Sequence, residues 1–404
     1  MYKKYNHCRI SDSKNLKTFF SLETALAGGF LKNENLCKEE KKYPLTVSFC
    51  PESSLVQVNE IVSAEVLFSD YFYKTGSIKT LANHFSEMAE EYKLISNNKN
   101  IVEIGCNDFS MLGNLIGSQY EKIIGVDPSN VSKNFQPTGT TLYNTCFNSE
   151  IADKIVIEHG RADIISASNC FAHIENIKDV TLGIKKLLSK NGTAVIEVHW
   201  LGNIIKNYQF PFIYHEHMYY YSLKAMDYLM SQFDLSIFDV KHINIHGGSI
   251  RYYICHNGAK EIRESVALLE KEESELKLYD ENTYLNYSEQ VRLLGLELKN
   301  LISKLKKENK KIYGYGASGQ ANTLMAFYGI TKDEIPLIID DAPLKVGCYT
   351  PNNHIPIVNS DILNTEPPDY ILCFAYTFIE EIIKRNKKFN GKWIVPLPEV
   401  KVYE

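Results

Sequence analysis

Short apolar runs that stop at a glycine or a polar turn alternate, through the first half of this chain, with stretches whose apolar residues recur every three or four positions. The runs Ile101–Ile104, Lys122–Val126, Asp163–Ala167 and Thr193–Val198 read as buried strands with helices between them. Such alternation, continuing to about residue 240, predicts a parallel sheet covered on both faces. A helix over 78–94 leads into it, with Leu81, His84, Phe85, Met88, Ala89 and Tyr92 on one face. The first 75 residues are loop-rich, with strands expected at 43–47 and 55–58. Glu, Lys and Leu at helical spacing predict long, mostly solvated connecting helices over 260–308. From Lys311 a second α/β unit begins with a strand, a glycine-rich turn and a helix, followed by strands Pro336–Asp340, Tyr370–Phe374 and Lys392–Pro396. The fold class is therefore α/β, and the expected division is 1–75, 76–255, 256–308 and 309–404.

Composition changes this picture little. The chain has 404 residues, 44% hydrophobic and 23% charged, with a net charge of −5, which argues against a nucleic-acid partner. No apolar run approaches the ~20 residues that span a bilayer, so no membrane association is expected. Met1–His7 carries lysines without an apolar stretch behind them and does not read as a secretory signal. The nine cysteines show no pairing rhythm, as expected of free thiols or ligands in the cytoplasm.

Candidate chemistry gathers at three places. At Ile101-Val102-Glu103-Ile104-Gly105-Cys106-Asn107-Asp108 a buried strand runs into a tight turn, and Met111–Leu115 is expected to open a helix. About 20 residues on, the next strand ends in Asp127-Pro128-Ser129, where an acid can hydrogen-bond both ribose hydroxyls of an adenosine. GxGxxG is absent, and this turn with its distal Asp fits S-adenosylmethionine better than NAD. The predicted cofactor contacts are Glu103, Gly105, Asn107, Asp108, Asp127, Pro128 and Asn169. The second place is Tyr214-His215-Glu216-His217-Met218-Tyr219-Tyr220-Tyr221-Ser222, rich in groups that move protons and hold oxyanions. On an extended segment 215 and 217 share one face and 214 and 216 the other, so both sets serve only if the segment bends into a loop. His215 and His217 lack a third metal ligand at sensible spacing. The third place is Gly314-Tyr315-Gly316-Ala317-Ser318-Gly319, which matches a dinucleotide turn as a pattern only.

With further motifs these residues carry a resemblance. Cys8–Ser11, Asp70–Ser77, Glu103–Asp108, Gly125–Asn130, Ser168–Ile174, Tyr214–Ser222, His246–Tyr253, Gly314–Thr323, Asp340–Ile357 and Pro368–Leu372 stand in the order seen in sugar C-methyltransferases. That family acts on nucleotide-linked 4-keto deoxysugars, on the way to branched sugars such as mycarose, noviose and tetronitrose. The resemblance covers nearly the whole chain. It implies a small N-terminal zinc module, a central Rossmann-like methyltransferase domain and a C-terminal Rossmann-like α/β domain. The family's zinc module holds two Cys-x-x-Cys pairs; here those positions are Cys8, Ser11, Cys50 and Ser53. Serine is a poor zinc ligand, so no zinc, or only weak binding, is expected, with Cys8 and Cys50 as the remaining candidates. Phe109 and Ala375–Phe378 are further departures, from a glycine and a Trp-Asn pair respectively.

What the resemblance implies for function is methyl transfer from S-adenosylmethionine to carbon 3 of such a sugar. His217 would be the base; Tyr214, Glu216, His173 and Tyr73 would line the pocket. Substrate contacts are expected from His246, Gly247, Ser249 and Arg251, and from Gly316, Ser318, Asn322, Asp340 and Lys345, the second group holding the nucleotide diphosphate. The alternative reading is an NAD-dependent nucleotide-sugar oxidoreductase or epimerase that uses the 314–319 turn.

Overall fold

The computed structural model describes residues 2–67, 75–77, 79–95 and 99–404. Three larger sheets and a two-stranded pair, Tyr2–Lys4 with Glu60–Val62, carry the fold among them. The central one has seven strands in the order Leu235–Ile243, Ser249–His256, Leu188–His199, Ala162–Ser168, Asn100–Ile104, Lys122–Val126 and Thr141–Tyr143. The five strands from Leu188–His199 onward run parallel. Their near-unbroken apolar content follows from burial on both faces. Ser249–His256 lies antiparallel to both of its neighbours, so the sheet is not wholly parallel as the pattern predicts. The reversal is made at Gly247 and Gly248, both at positive φ. A Cβ at Gly248 would stand 1.6 Å from Asn203 Nδ2, so only glycine lets the chain turn there.

The helix Lys79–Leu94 buries Leu81, His84, Phe85, Met88, Ala89 and Tyr92, the face its spacing predicts. Beneath it sits a buried ion network. Glu197, fully buried on the Leu188–His199 strand, accepts from His84 Nε2 at 2.9 Å and from Arg251 Nε at 2.9 Å and Nη2 at 2.8 Å. Arg251 also reaches Glu91 at 2.8 Å. Burial pushes the Glu197 carboxyl up, but His84 and Arg251 outweigh it and hold Glu197 below the usual carboxylate range. Arg251 is thus committed inside the protein, which corrects its assignment to the substrate: it faces Glu197 across the strand pair rather than a ligand. Removing one member of a buried, fully paired set strands the others. Arg251→Ala should therefore cost about 3–5 kcal/mol, seen as a lower urea midpoint at unchanged m-value; a midpoint like that of the parent protein would contradict the network's role.

The N-terminal sheet has four antiparallel strands, Lys17–Thr24, Tyr43–Cys50, Leu55–Val58 and, from far along the chain, Tyr219–Tyr220. Met218 ties this sheet to the turn Phe171–His173 that follows the central strand Ala162–Ser168: its N–H donates to Ala172 O at 2.8 Å and its carbonyl accepts from Val58 N at 3.0 Å. The segment that carries His217 is thereby clamped between that sheet and that turn.

Helices Glu264–Glu275 and Glu281–Lys307 lead to the third sheet. The longer one is not merely solvated. Tyr284, Tyr287, Val291, Gly295, Leu298, Ile302 and Leu305 form a buried stripe along it. The third sheet has six strands in the order Ile357–Val358, Ile338–Ile339, Ile312–Tyr315, Tyr370–Cys373, Lys392–Val395 and Lys401–Tyr403, parallel except for the last. Among the described residues no helix is long and apolar enough to cross a membrane.

Candidate functional site

The parallel strands of the central sheet end together at the edge that carries the first glycine turn. Gly105 leaves the Asn100–Ile104 strand at φ +76°, and a Cβ there would lie 2.9 Å from Cys170 Cβ. Asn107 and Phe109 are also in the left-handed region. The helix expected at Met111–Leu115 is only a short 3-10 stretch, Leu112–Leu115. Gly113 and Gly117 leave the run too weak in helix propensity to extend. Phe109 turns inward, against Gly125.

Acids surround this turn. Asp127 accepts from Asn107 N at 3.0 Å and Ser129 N at 2.8 Å, and Pro128 lies exposed beside it. Asp108 accepts from Gly76 N at 2.8 Å, while Asn107 Oδ1 accepts from Thr75 N at 3.1 Å. Burial, then Asp127 and Asp108, raise the Glu103 carboxyl well above its ordinary value. Glu103 Oε2 and Asn169 Oδ1 are buried without a hydrogen-bond partner among the described residues. Unpaired polar atoms amid three carboxyls suit a ligand bearing an ammonium, ribose hydroxyls and an adenine amine. They disfavour the two negative phosphates of a dinucleotide. All seven predicted cofactor residues stand at this edge or on its turns.

Near this edge four imidazoles meet. His217 lies 5.0 Å from His173 and 5.1 Å from His199, and His199 lies 5.6 Å from His246, between ring centroids. His217 Nδ1 donates to Phe212 O at 2.8 Å, which leaves a lone pair on Nε2; Tyr214 OH donates to it at 3.0 Å. Burial, then the neighbouring His173 and His199, hold the His217 ring well below its ordinary pKa. Burial likewise lowers His173 to about 4. Glu216 is raised to about 7 by burial and faces Gly28.

The 214–218 stretch is a bent loop, as the face argument predicts, before the strand at Tyr219–Tyr220. The bend separates the two histidines. His215 turns to Tyr43 and makes a 3.1 Å hydrogen bond between Nε2 and Pro44 O, away from the cluster. Tyr73 falls outside the described residues. His246 and Gly247 form the turn beyond His199; Ser249, buried, donates from Oγ to Ile245 O at 3.4 Å.

The second group of predicted substrate residues lies elsewhere, at the glycine turn of the third sheet, and is largely self-satisfied. Asp340 accepts from Ala317 N at 2.8 Å and pairs with Lys345 at 3.5 Å, and Lys345 donates to Ala317 O at 2.6 Å. Ser318 caps the Gly319–Tyr328 helix, and Gly316 stands close against Ala375. Asn322 is fully buried; its Nδ2 donates to Ala27 O at 2.7 Å and anchors the N-terminal module, while its Oδ1 has no hydrogen-bond partner among the described residues. The loop at Ala27–Gly28 therefore runs between this turn and Glu216, a link invisible in the sequence.

His199 was missed by the sequence reading. The signal for it exists: it follows the predicted strand Thr193–Val198 directly, at the same carboxyl edge as Asn169.

The four positions of the N-terminal metal module do converge. Cys8 Sγ lies 3.2 Å from Ser53 Oγ and Ser11 Oγ 3.6 Å from Cys50 Sγ. The mutual hydrogen bond of the two thiols raises Cys8 and lowers Cys50. Two thiols and two hydroxyls do not fit a structural zinc, which takes sulfur and imidazole donors. Among the described residues no group of three or more His, Cys, Asp or Glu could hold a metal ion.

Three family descriptions match the chain in succession: "Putative zinc binding domain" over 8–68, "Methyltransferase domain" over 79–240 and "C-methyltransferase C-terminal domain" over 244–398. The chain is 30% identical over 387 residues to the C-methyltransferase NovU of Streptomyces niveus, an alignment spanning 94% of this chain and 92% of that protein. Among solved structures, an S-adenosylmethionine-dependent methyltransferase from Clostridium acetobutylicum aligns at TM-score 0.33 and 13% identity over 48% of this chain and 96% of its own. The 1,6-didemethyltoxoflavin-N1-methyltransferase of Burkholderia thailandensis aligns at TM-score 0.35 and 10% identity over 53% and 96%. These two structural likenesses are too low to carry an argument.

Proposed function

This chain belongs to the family of S-adenosylmethionine-dependent sugar C-methyltransferases, and on that premise we propose that it methylates carbon 3 of a nucleotide-linked 4-keto deoxysugar. The observation that carries the reading is the buried His217 imidazole, held through Nδ1 by Phe212 O with Nε2 toward the Tyr214 hydroxyl, near the acid-lined turn.

Carbon methylation needs a carbanion equivalent. A hydrogen next to a ketone can be removed by a protein base when the resulting oxyanion is stabilised. His217 Nε2 would take the proton from carbon 3, and the electrons of the broken C–H bond would pass into the enolate. Tyr214, whose hydroxyl then loses its acceptor on Nε2, would donate to the enolate oxygen. Glu216, whose carboxyl burial raises to about 7, would donate to the sugar in its protonated form. His173 would line the same pocket, and Tyr73 is assigned to it by the family resemblance. Glu103, Gly105, Asn107, Asp108, Asp127, Pro128 and Asn169 would hold S-adenosylmethionine, whose chemistry when bound is an electrophilic methyl on a sulfonium. Gly316, Ser318, Asp340 and Lys345 remain the proposed neighbours of the nucleotide diphosphate, with His246, Gly247 and Ser249 nearer the sugar.

Incubation with labelled S-adenosylmethionine and TDP-, GDP- and CDP-linked 4-keto sugars tests the reaction. The expected product carries a new methyl on carbon 3 by NMR. Label on oxygen or nitrogen, or turnover that needs NAD, would overturn it.

The N-terminal module is proposed to fold by packing alone. Ile10, Leu45, Val47, Phe49, Leu55 and Val58 are buried in it, and the Cys8 and Cys50 thiols are buried among them. Purified protein should carry far less than one zinc per chain by elemental analysis, and a strong chelator should leave its melting temperature unchanged. Stoichiometric zinc whose removal unfolds the module would reverse this reading.

A further inference from the structure

The proposed reaction requires a substrate that reaches from the sugar pocket to the glycine turn of the third sheet, yet no residue between the two has a role. The segment that connects them belongs to the N-terminal module. Ala27 lies against the turn: Asn322 Nδ2 donates to its carbonyl at 2.7 Å, and a Cβ on Gly319 would stand 3.4 Å from Ala27 Cβ. One residue on, Gly28 faces Glu216, whose Oε1 lies 3.4 Å from where a Gly28 Cβ would be. Phe30 sits against Lys345, with Nζ 5.4 Å from the ring centroid. Gly28 and Phe30 are two residues apart, about 7 Å of backbone at most. The carboxyl proposed for the sugar and the cation proposed for the diphosphate therefore border one short loop. That loop is open to a ligand: Gly28 and Gly29 are exposed, and Glu216, Tyr214, Gly316, Ser318 and Lys345 are each half-buried.

The loop is held at both ends. Ala25 N donates to Asn352 Oδ1 at 2.7 Å, Asn352 Nδ2 donates to Thr24 Oγ1 at 2.8 Å, and Leu31 exchanges backbone hydrogen bonds of 2.9 and 2.7 Å with Tyr349. Within it Gly29 N donates to Leu26 O at 2.9 Å, and a Cβ on Gly29 would press on that oxygen at 3.2 Å, so the turn itself accounts for Gly29. Nothing of the kind accounts for Gly28. Its φ lies outside the left-handed region, so the backbone does not call for glycine. The Glu216 oxygen at 3.4 Å is an ordinary van der Waals contact, and apart from the chain neighbours no other atom of the described residues comes within 4 Å of the Cβ position. The fold would thus accept a side chain there, in open space beside Glu216. Glycine also loses the most conformational freedom on ordering. A glycine that neither backbone nor packing requires points to a ligand that needs the room.

We propose that the N-terminal module contributes to the substrate site: the loop Ala27–Phe30 borders the path from sugar to diphosphate, and Gly28 is a specificity-determining residue that leaves room beside Glu216 for the hexose ring of the nucleotide-linked sugar. This rests on the keto-sugar reading and deepens it by adding a third part of the chain to the site. A side chain at position 28 would take the space of the ring and press on Glu216. It acts on binding of the sugar and leaves the cofactor edge at Gly105 and Asp127 untouched.

The variants Gly28→Ala, Gly28→Val and Gly28→Leu form a graded test. With labelled S-adenosylmethionine and the TDP-, GDP- and CDP-linked keto sugars, KM for the sugar nucleotide should rise in that order. For Gly28→Leu the rise should be about 10–100-fold, the effect of forcing extra methylenes into an occupied space. The change should lie in KM far more than in kcat, while the affinity for S-adenosylhomocysteine and the melting temperature stay those of the parent protein. An unchanged KM in Gly28→Leu, or a KM that rises only in step with a falling melting temperature, would overturn the proposal. Binding measured without turnover separates it from the reaction itself. By titration calorimetry Gly28→Leu should weaken the keto-sugar nucleotide by the same factor and leave the free nucleoside diphosphate almost unaffected, because the loop meets the sugar at Gly28 and the diphosphate only beyond it. Equal weakening of both ligands would also overturn the assignment. Binding with that discrimination and no methylation by the parent would sink the proposed reaction alone; methylation by the parent with Gly28→Leu equally active would sink the role of Gly28 alone.

Discussion

Replacing His217 with Asn should lower methyl transfer by about 10²–10⁴-fold, the range expected when a positioned general base is lost. The change is chosen for its geometry. An Asn amide can still donate to Phe212 O, as Nδ1 does now, so the bend of the loop has a means of surviving. What disappears is the Nε2 lone pair. Binding of S-adenosylhomocysteine by titration calorimetry should be unaltered, and exchange of the sugar's carbon-3 hydrogen with deuterated water should cease. Retained exchange would mean that another group is the base. The pH profile follows from the same burial. A base works only when unprotonated, and the His217 pKa is depressed. The acid limb of kcat/KM should therefore lie below the ordinary imidazole value of about 6.5, with little change as pH falls from neutral toward it.

Asp127→Ala should weaken S-adenosylhomocysteine binding about 10–150-fold, equivalent to the ~1.5–3 kcal/mol of a hydrogen bond to a charged group. Two effects combine there. The carboxylate is the proposed acceptor for the ribose hydroxyls, and it also pins Asn107 N and Ser129 N, which shape the turn. Asp127→Asn, which keeps one carbonyl oxygen, should fall between. Calorimetry checks both variants, and an unchanged dissociation constant in Asp127→Ala would remove Asp127 from the cofactor site.

Much of the fold was legible because its signals are local. Lys122–Val126 and Leu55–Val58 are found at the residues the pattern predicts, and Lys79–Leu94 buries the predicted face. An apolar run bounded by turns is buried whichever partners it finds, and a helix stripe needs only its own spacing. The antiparallel Ser249–His256 strand was not foreseen, since it depends on a turn whose tightness is set by Asn203, far away in sequence. The Met111–Leu115 helix was over-read because one strand–turn signal was extended past two glycines.

Within the candidate site the same division holds. Residue types near one another along the chain, such as Glu103 to Asp108 or Tyr214 to His217, announce proton and cofactor chemistry by their own composition, and nothing distant is required to read them. Arg251 reads as a substrate cation in the sequence; whether a polar group is available depends on its spatial neighbours, here Glu197 and Glu91. His199 gained its place by the converse route, through a cluster assembled from 173, 199, 217 and 246. Which groups could act was determined by the order of residues; which remain available to act was decided only when folding paired some buried polar atoms and left others unpaired, because pairing is a contact between residues that the linear chain keeps far apart.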